Sequence, residues 1–320
     1  MSRYDLLAIG NALVDVVAPA SDAFLEAEVL PKGAMSLIDG ERAHTLYQRM
    51  GPGVETSGGT AANTSVGLAS FGGRSAFIGK VADDTLGEVF THDLRAAGVA
   101  FSAEPLKGGA TGRCLVNVTP DAERTMCTFL GASVELTVAD VSADQVGAAS
   151  VLYLEGYLFD PSEARRAFIK AARLARAAGR RIAFSLSDCF LVERHREALL
   201  AFVESEVDVL FGNEAEILSL FPGAEKREAL ERAGALAEIV AVTFGAHGSL
   251  ILGSGSSIET PADPVEEVVD TTGAGDQYAA GFLSGLAHDR PLAACGALGS
   301  LAAGEVIPHY GPRPQRSLRD

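Results

Sequence analysis

The run DTTGAGDQYAAGF, residues 270 to 282, sets Gly273 and Gly275 around Ala274 and places a carboxylate, Asp276, directly after them. Glycines at such a bend let backbone N–H groups approach a ligand with no side chain between. The apolar run that follows Asp276 has helical character, with Tyr278, Phe282, Leu283 and Leu286 available to pack. The bend is then a helix N-terminus, where free amides and the positive end of the dipole favour an anion. Two roles are open for Asp276. As an N-cap it would stabilise the helix by about 1 kcal/mol. As a general base beside an anion hole it would take the proton of an attacking hydroxyl, an effect of about 10²- to 10⁴-fold in rate.

Further constellations point to polar recognition. SGGTAAN at 57 to 63 is a glycine bend entering a helix, with Thr60 as a candidate cap. Asn213 and Glu216 are three residues apart and share a face at the start of a helix, either as an exposed pair or as ligand-directed groups. Asp15 ends the run GNALVD, either as a solvated strand-end carboxylate or as an acceptor for two vicinal hydroxyls. No GxxxxGK[ST] loop is present, and IGNALVDVV lacks the GxGxxG spacing of a dinucleotide site, which argues against a nicotinamide-dependent dehydrogenase.

The elements that must position these residues alternate. Apolar runs at 4–10, 75–82, 151–156, 181–187, 207–212 and 239–245 read as buried strands. Between them, residues 84–98 place Leu86, Val89, Phe90 and Leu94 on one helical face and stop at Gly98, and residues 161–179 run from Pro161 to Gly179. The pattern predicts an α/β fold with a doubly wound, mostly parallel sheet and helices on both faces. Segments at about 13–40 and 111–130 break the alternation as shorter strands, with a turn at Pro120 and Asp121. They are expected to form a small β-strand lid over the C-terminal edge of the sheet, within one domain spanning residues 1–320.

Composition narrows the partners. The chain has 320 residues, 48% of them hydrophobic, and a formal net charge of -16, which disfavours nucleic acid and anionic membrane surfaces. Cys114, Cys127, Cys189 and Cys295 are widely spaced with no CxxC pair, as expected of reduced, buried thiols. No signal-peptide core and no apolar run of about 18 residues is found, so a cytoplasmic protein is expected.

These residues resemble the ribokinase-like, or pfkB-type, carbohydrate and nucleoside kinases. DTTGAGDQYAAGF resembles their C-terminal signature and SGGTAANTSVGLASFGG, residues 57 to 73, their N-terminal one, with GNEAE and VTFGAHGS between in order. The beginning GNALVDVVAPASDAFL is similar to the adenosine-kinase-like branch. The resemblance implies an ATP- and Mg²⁺-dependent kinase that phosphorylates a primary hydroxyl, the 5′-OH of adenosine before other acceptors. It implies Asp276 as base, the amides of Gly273, Ala274 and Gly275 as anion hole, and Asn11, Asp15, Gly59 and Asn63 on the sugar hydroxyls, with Leu13 near a base or aglycone. Asn213 and Glu216 would orient water around the Mg²⁺, and Thr243, Gly245 and Gly248 would lie near the nucleotide. Asp270 and Thr272, with carbonyls of EVIPHYG, resemble a monovalent-cation (K⁺) loop.

The alternatives are a kinase of ribose, fructose or a related sugar, and a non-catalytic ligand-binding relative. A nucleoside requires an apolar slot that LVDVV, AMSLI and GYLF could line. Arg113 and Arg124 read as lid-surface charges, or as groups favouring an acidic acceptor if they enter the pocket. A homodimer through the lid edge is a further expectation.

Overall fold

In a computed structural model the described residues are 2–121, 123–253 and 255–319. In chain order their strands are β1 (Tyr4–Ile9), β2 (Leu13–Pro19), β3 (Met35–Leu37), β4 (Val54–Gly58), β5 (Ser75–Ile78), β6 (Val99–Phe101), β7 (Gly112–Val118) and β8 (Arg124–Phe129). There follow β9 (Ala149–Glu155), β10 (Arg181–Ser185), β11 (Val209–Asn213), β12 (Ile239–Thr243), β13 (Ser249–Gly253) and β14 (Ser256–Thr260). Among the described residues the larger sheet has the order β14-β13-β12-β11-β10-β9-β1-β5-β6. It is parallel from β12 to β6, and β13 and β14 add an antiparallel edge.

The six apolar runs of the sequence are β1, β5, β9, β10, β11 and β12, buried on both faces as a covered parallel sheet requires. One face packs on the helix Ser162–Ala177, whose Ala164, Ala167, Phe168, Ala171, Ala172 and Ala175 recur at helical spacing. The other packs on Thr60–Ser70, Thr85–Ala96 and Ala274–Ala287. The predicted doubly wound α/β architecture is the one observed.

A second sheet, in the order β3-β8-β7-β2-β4, stands at the C-terminal edge of the first. It includes β4, which lies outside the two segments expected to break the alternation, and the first of those segments also contains a short helix, Asp22–Ala27, rather than strands alone. β4 is polar, exposed at Val54 and Glu55 and buried at Ser57 and Gly58, and its pairing with β2 comes from tertiary contact that apolar periodicity does not report. Pro120 and Asp121 do form the turn between β7 and β8, with Ala122 outside the described residues.

Alternation gives this sheet two unlike faces. Leu13 and Asp15 on β2, Met35 and Leu37 on β3, Cys114 and Val116 on β7, and Arg124, Met126 and Thr128 on β8 line one cavity. Val16, Leu115 and Cys127 point the other way and form a separate small core with Leu46 of the helix Gly40–Arg49.

The helices Ala274–Ala287 and Leu292–Val306 touch backbone to backbone. A Cβ on Gly281 would stand 2.2 Å from the carbonyl oxygen of Leu298. Gly281→Ala is therefore expected to destabilise the protein by about 1–3 kcal/mol through overpacking, read as a lower urea midpoint at unchanged m-value.

Candidate functional site

The two sheets enclose a cavity of about 760 Å³. Its floor is the C-terminal edge of the larger sheet, where Asn11 follows β1, Glu155 ends β9, Ser187 follows β10 and Asn213 ends β11. A smaller space of about 130 Å³ adjoins it, lined by Thr243, Phe211, Gly275 and Tyr278 among others. Thr60, Ser187, Asn213, Glu216 and Asp276 line both, so Asp276 stands where the two spaces meet.

Asp276 is the third residue of its helix, which begins at Ala274 and is capped by Gly273. The capping role considered for Asp276 is thus not the one it has. Gly273 adopts φ +75°, and a Cβ there would stand 2.4 Å from Pro312, so left-handed backbone and close packing both call for glycine. Freed from capping, the Asp276 carboxylate accepts a hydrogen bond from Asn63 Nδ2 at 2.9 Å. Burial raises its pKa to about 6, against the opposing effects of Asn63, the Arg124 charge and Thr60. Among the described residues the amides of Gly273, Gly275 and Asp276 donate to no protein acceptor, whereas that of Ala274 donates to the Thr271 carbonyl at 3.3 Å. The open donors at this helix start therefore include Asp276 and exclude Ala274.

The expected hydroxyl-binding residues converge on the larger cavity. Asn11, Leu13, Asp15, Gly59 and Asn63 all line it. Asp15 sits on β2 opposite β4, and a Cβ on Gly58 would fall 2.0 Å from Asp15 Oδ2, so only glycine leaves room for the carboxylate. Burial pushes the Asp15 pKa up to about 7; the Arg313 charge opposes this, and Asp276 and Asp270 add to it. The Oδ1 atoms of Asn11 and Asn63 are buried without a protein partner, which leaves two acceptors on cavity-lining residues for ligand donors. Thr60 is the first helical residue of Thr60–Ser70 and Gly59, at φ +98°, is the cap, so Thr60 is not the cap considered from sequence.

Glu155 was not singled out by sequence reasoning. Its carboxylate accepts from Asn11 Nδ2 at 2.8 Å and from the Ala61 amide at 3.0 Å, tying the end of β1 to the start of Thr60–Ser70. Desolvation raises its pKa to about 7. The available signal was a lone carboxylate closing the apolar run VLYLE.

Asn213 and Glu216 form a reciprocal capping box: Glu216 N donates to Asn213 Oδ1 at 2.9 Å, and Asn213 N to Glu216 Oε2 at 3.0 Å. They are not an exposed pair, because Glu216 is buried and desolvation lifts its pKa to about 7. Thr243 lines the smaller space at the end of β12. Gly245 and Gly248 bound the turn from β12 into β13 and line neither space, and His247 between them is exposed.

Arg124 enters the cavity rather than lying on the surface of the smaller sheet. Its Nη1 donates to Thr272 Oγ1 at 2.9 Å, and its Nε is 3.7 Å from Asp270 Oδ1. Asp270 is fully buried; its Oδ1 accepts from the Thr272 amide at 2.9 Å and its Oδ2 from the Gly311 amide at 2.9 Å. The observed work of Asp270 and Thr272 is to fix the bend, with a guanidinium supplying the positive charge beside them. Arg113 lies over the Tyr47 ring, 5.9 Å from its centroid, and does not line the cavity.

Of the apolar segments considered for a slot, Leu13, Met35, Leu37 and Tyr157 reach the cavity, while Leu158 and Phe159 belong to the main core. Leu37 and Phe190 remain 57% and 65% exposed, and Phe190 is a lining residue that sequence reasoning missed.

The pfkB family carbohydrate kinase model matches residues 41–317. The chain belongs to the pfkB family. Members are phosphotransferases that act on sugars or nucleosides and use ATP, and this pfkB chain is a sugar or nucleoside kinase. It is 50% identical to the adenosine kinase from Sinorhizobium meliloti, with 99% of this chain and 98% of that one covered and a TM-score of 0.95. A probable sugar kinase protein from Rhizobium etli CFN 42 is 48% identical, with coverage of 100% and 97% and a TM-score of 0.96. A 5-dehydro-2-deoxygluconokinase from Geobacillus kaustophilus is 28% identical, with 78% of each chain covered. Among the described residues of this pfkB kinase no helix is long and apolar enough to cross a membrane.

Burial of Asp15 has a measurable consequence. Its folded pKa lies above the ordinary 3.8, at about 7, so between those values the native state holds a proton that the unfolded chain has released. This contribution to stability falls as pH rises through that window. Asp15→Asn, which abolishes it, is expected to raise the melting temperature at pH ~8 by about 2 °C or more, with the gain fading toward pH ~4.5 in thermal scans.

Proposed function

We propose that this pfkB kinase transfers the γ-phosphoryl group of ATP to the 5′-OH of a nucleoside, adenosine before others. The observation that carries this reading is the position of Asp276 at the meeting of two unlike spaces. The larger has Asp15, Asn11 and Asn63 for sugar hydroxyls. The same lining includes the apolar side chains of Leu13, Met35, Leu37, Val116 and Met126 with Tyr157 and Phe190, which suit a planar base and are superfluous for a free pentose. The smaller is bordered by Gly275, whose open amide suits phosphate oxygens. The 50% identity to an adenosine kinase supports the same acceptor.

In this reading the acceptor hydroxyl lies beside Asp276, which takes its proton. The amides of Gly273, Gly275 and Asp276, with Arg124, face the negative charge of the transferring group. Positioning and charge stabilisation supply most of the acceleration, because phosphoryl-transfer transition states are loose. Mg²⁺, when bound to the phosphates, neutralises their charge. Glu216 fits a role in holding its water shell, since the carboxylate is buried at the border of both spaces and its capping bonds leave lone pairs free. Arg124 supplies a positive charge beside Asp270, at the bend that resembles a monovalent-cation loop. The smaller sheet acts as the lid that excludes water.

Asp276→Ala is expected to lower kcat at least about 10²-fold while ATP still binds, measured by steady-state turnover and nucleotide titration. Because the base works ionised and its pKa is raised to about 6, wild-type kcat should fall as pH is lowered through that value. ADP production with Mg·ATP across adenosine, other nucleosides, ribose, fructose and acidic sugars should select adenosine. Preferential turnover of a free sugar would overturn the nucleoside assignment and leave the role of Asp276 intact.

A further inference from the structure

The segment after the last helix is bound to the site at several points. Gly311 donates to Asp270 Oδ2, and the Pro312 carbonyl accepts from Gln277 Nε2 at 2.9 Å, the same amide that donates to the Asn63 carbonyl at 3.1 Å. Next comes Arg313, whose side chain is 12% exposed in a place where sequence gives no sign of burial. Its Nη1 donates to Asp93 Oδ2 at 3.0 Å, and the same oxygen accepts the Ser57 amide at 2.8 Å and the Ser57 hydroxyl. Ser57 is fully buried on β4, directly before Gly58, the residue against which the Asp15 carboxylate rests.

The Nε and Nη2 of Arg313 are buried with no protein partner, an arrangement that is costly unless the guanidinium serves a nearby negative charge. The charges that act on Asp15 are those of Arg313 in the tail and of Asp276 and Asp270 in the helix and bend; Thr56 on β4 and Cys114 on β7 are its register partners, and Arg124 lines the same cavity. The acidic members repel a charge on Asp15. Arg124 is engaged with Thr272 and Asp270. Arg313 is the remaining cation of this set.

We propose that Arg313 is a positioning residue of the acceptor site: through Asp93 and Ser57 it holds β4 against Asp15, and it supplies the buried positive charge that keeps this carboxylate ready for acceptor hydroxyls. The proposal rests on Asp15 being an acceptor-binding group. It makes the tail part of substrate recognition although Arg313 lines neither space.

The test is steady-state kinetics with the acceptor selected by the panel, from pH ~6 to ~8.5, for Arg313→Met, Arg313→Lys, Asp93→Asn and Asp15→Asn. Arg313→Met should raise the acceptor KM about 10-fold near pH 7 while kcat and the ATP KM stay within about 3-fold, on the scale of one lost charge interaction. Loss of the cation raises the Asp15 pKa further. The acid limb of kcat/KM for the acceptor should therefore move to higher pH, with the deficit largest at low pH. Arg313→Lys should restore the limb, and Asp93→Asn should raise the acceptor KM with the cation still present. An unchanged acceptor KM and acid limb in folded Arg313→Met, or an equal loss in the Lys and Met variants, would overturn the proposal. Should Arg313→Met fail to fold, an unchanged acceptor KM in Asp93→Asn overturns it instead. If Asp15→Asn leaves the acceptor KM unchanged, the acceptor-site reading fails as well; if it raises KM and Arg313→Met does not, only the role of Arg313 falls.

Discussion

A carboxylate inside the first turn of a helix ordinarily folds back onto the backbone and is spent as a cap. Here that outcome is prevented by Gly273, which ends the preceding bend in left-handed backbone, locked against Pro312, and starts the helix one turn ahead of Asp276. The carboxylate then sits among open amides with only side-chain donors for company, partly stripped of water and raised in pKa, between two spaces. The rest of the site is arranged around keeping that geometry. Asp270 holds the bend, Gln277 ties the helix to Asn63 and to the tail, and Glu155 fixes Asn11 to the helix that carries Asn63.

The smaller sheet converts this edge into a chamber. Period-two alternation is enough to put Leu13, Asp15, Met35 and Leu37 on one side, and a helix covers the other. Its charged contributions are two residues of opposite sign. Asp15 is accommodated by the missing side chain of Gly58, and Arg124 reaches across to the bend. Four carboxylates, Asp15, Glu155, Glu216 and Asp276, are all raised in pKa by burial around one region, a concentration of cost that marks a functional site more than a stable core.

The six principal strands, the helices between them and the glycine-rich bend were legible because their signals are local: apolar runs, helical spacing, small residues at turns. Membership of the pfkB family was legible for the same reason, four short motifs in order. Gly59, Asn63 and Asp276 could be named from those motifs and Asn11, Leu13 and Asp15 from the beginning GNALVD, and all six line one cavity. β4 was not legible, since its residues are polar and its partner lies 40 residues away in sequence. Nor was the helix start, because the choice between Gly273 and Asp276 as cap depends on Pro312.

What the sequence determined by itself is the alternation of elements and the chemistry available at their ends, both set by residues within a few positions of one another. What only the tertiary structure decided is how each charged group is spent. Arg124 became a cavity residue, Glu216 a buried capping partner, Glu155 a brace and Arg313 a buried cation. Each outcome depends on desolvation and on partners tens to hundreds of residues away, and electrostatic roles of that kind are properties of the environment and not of the residue type.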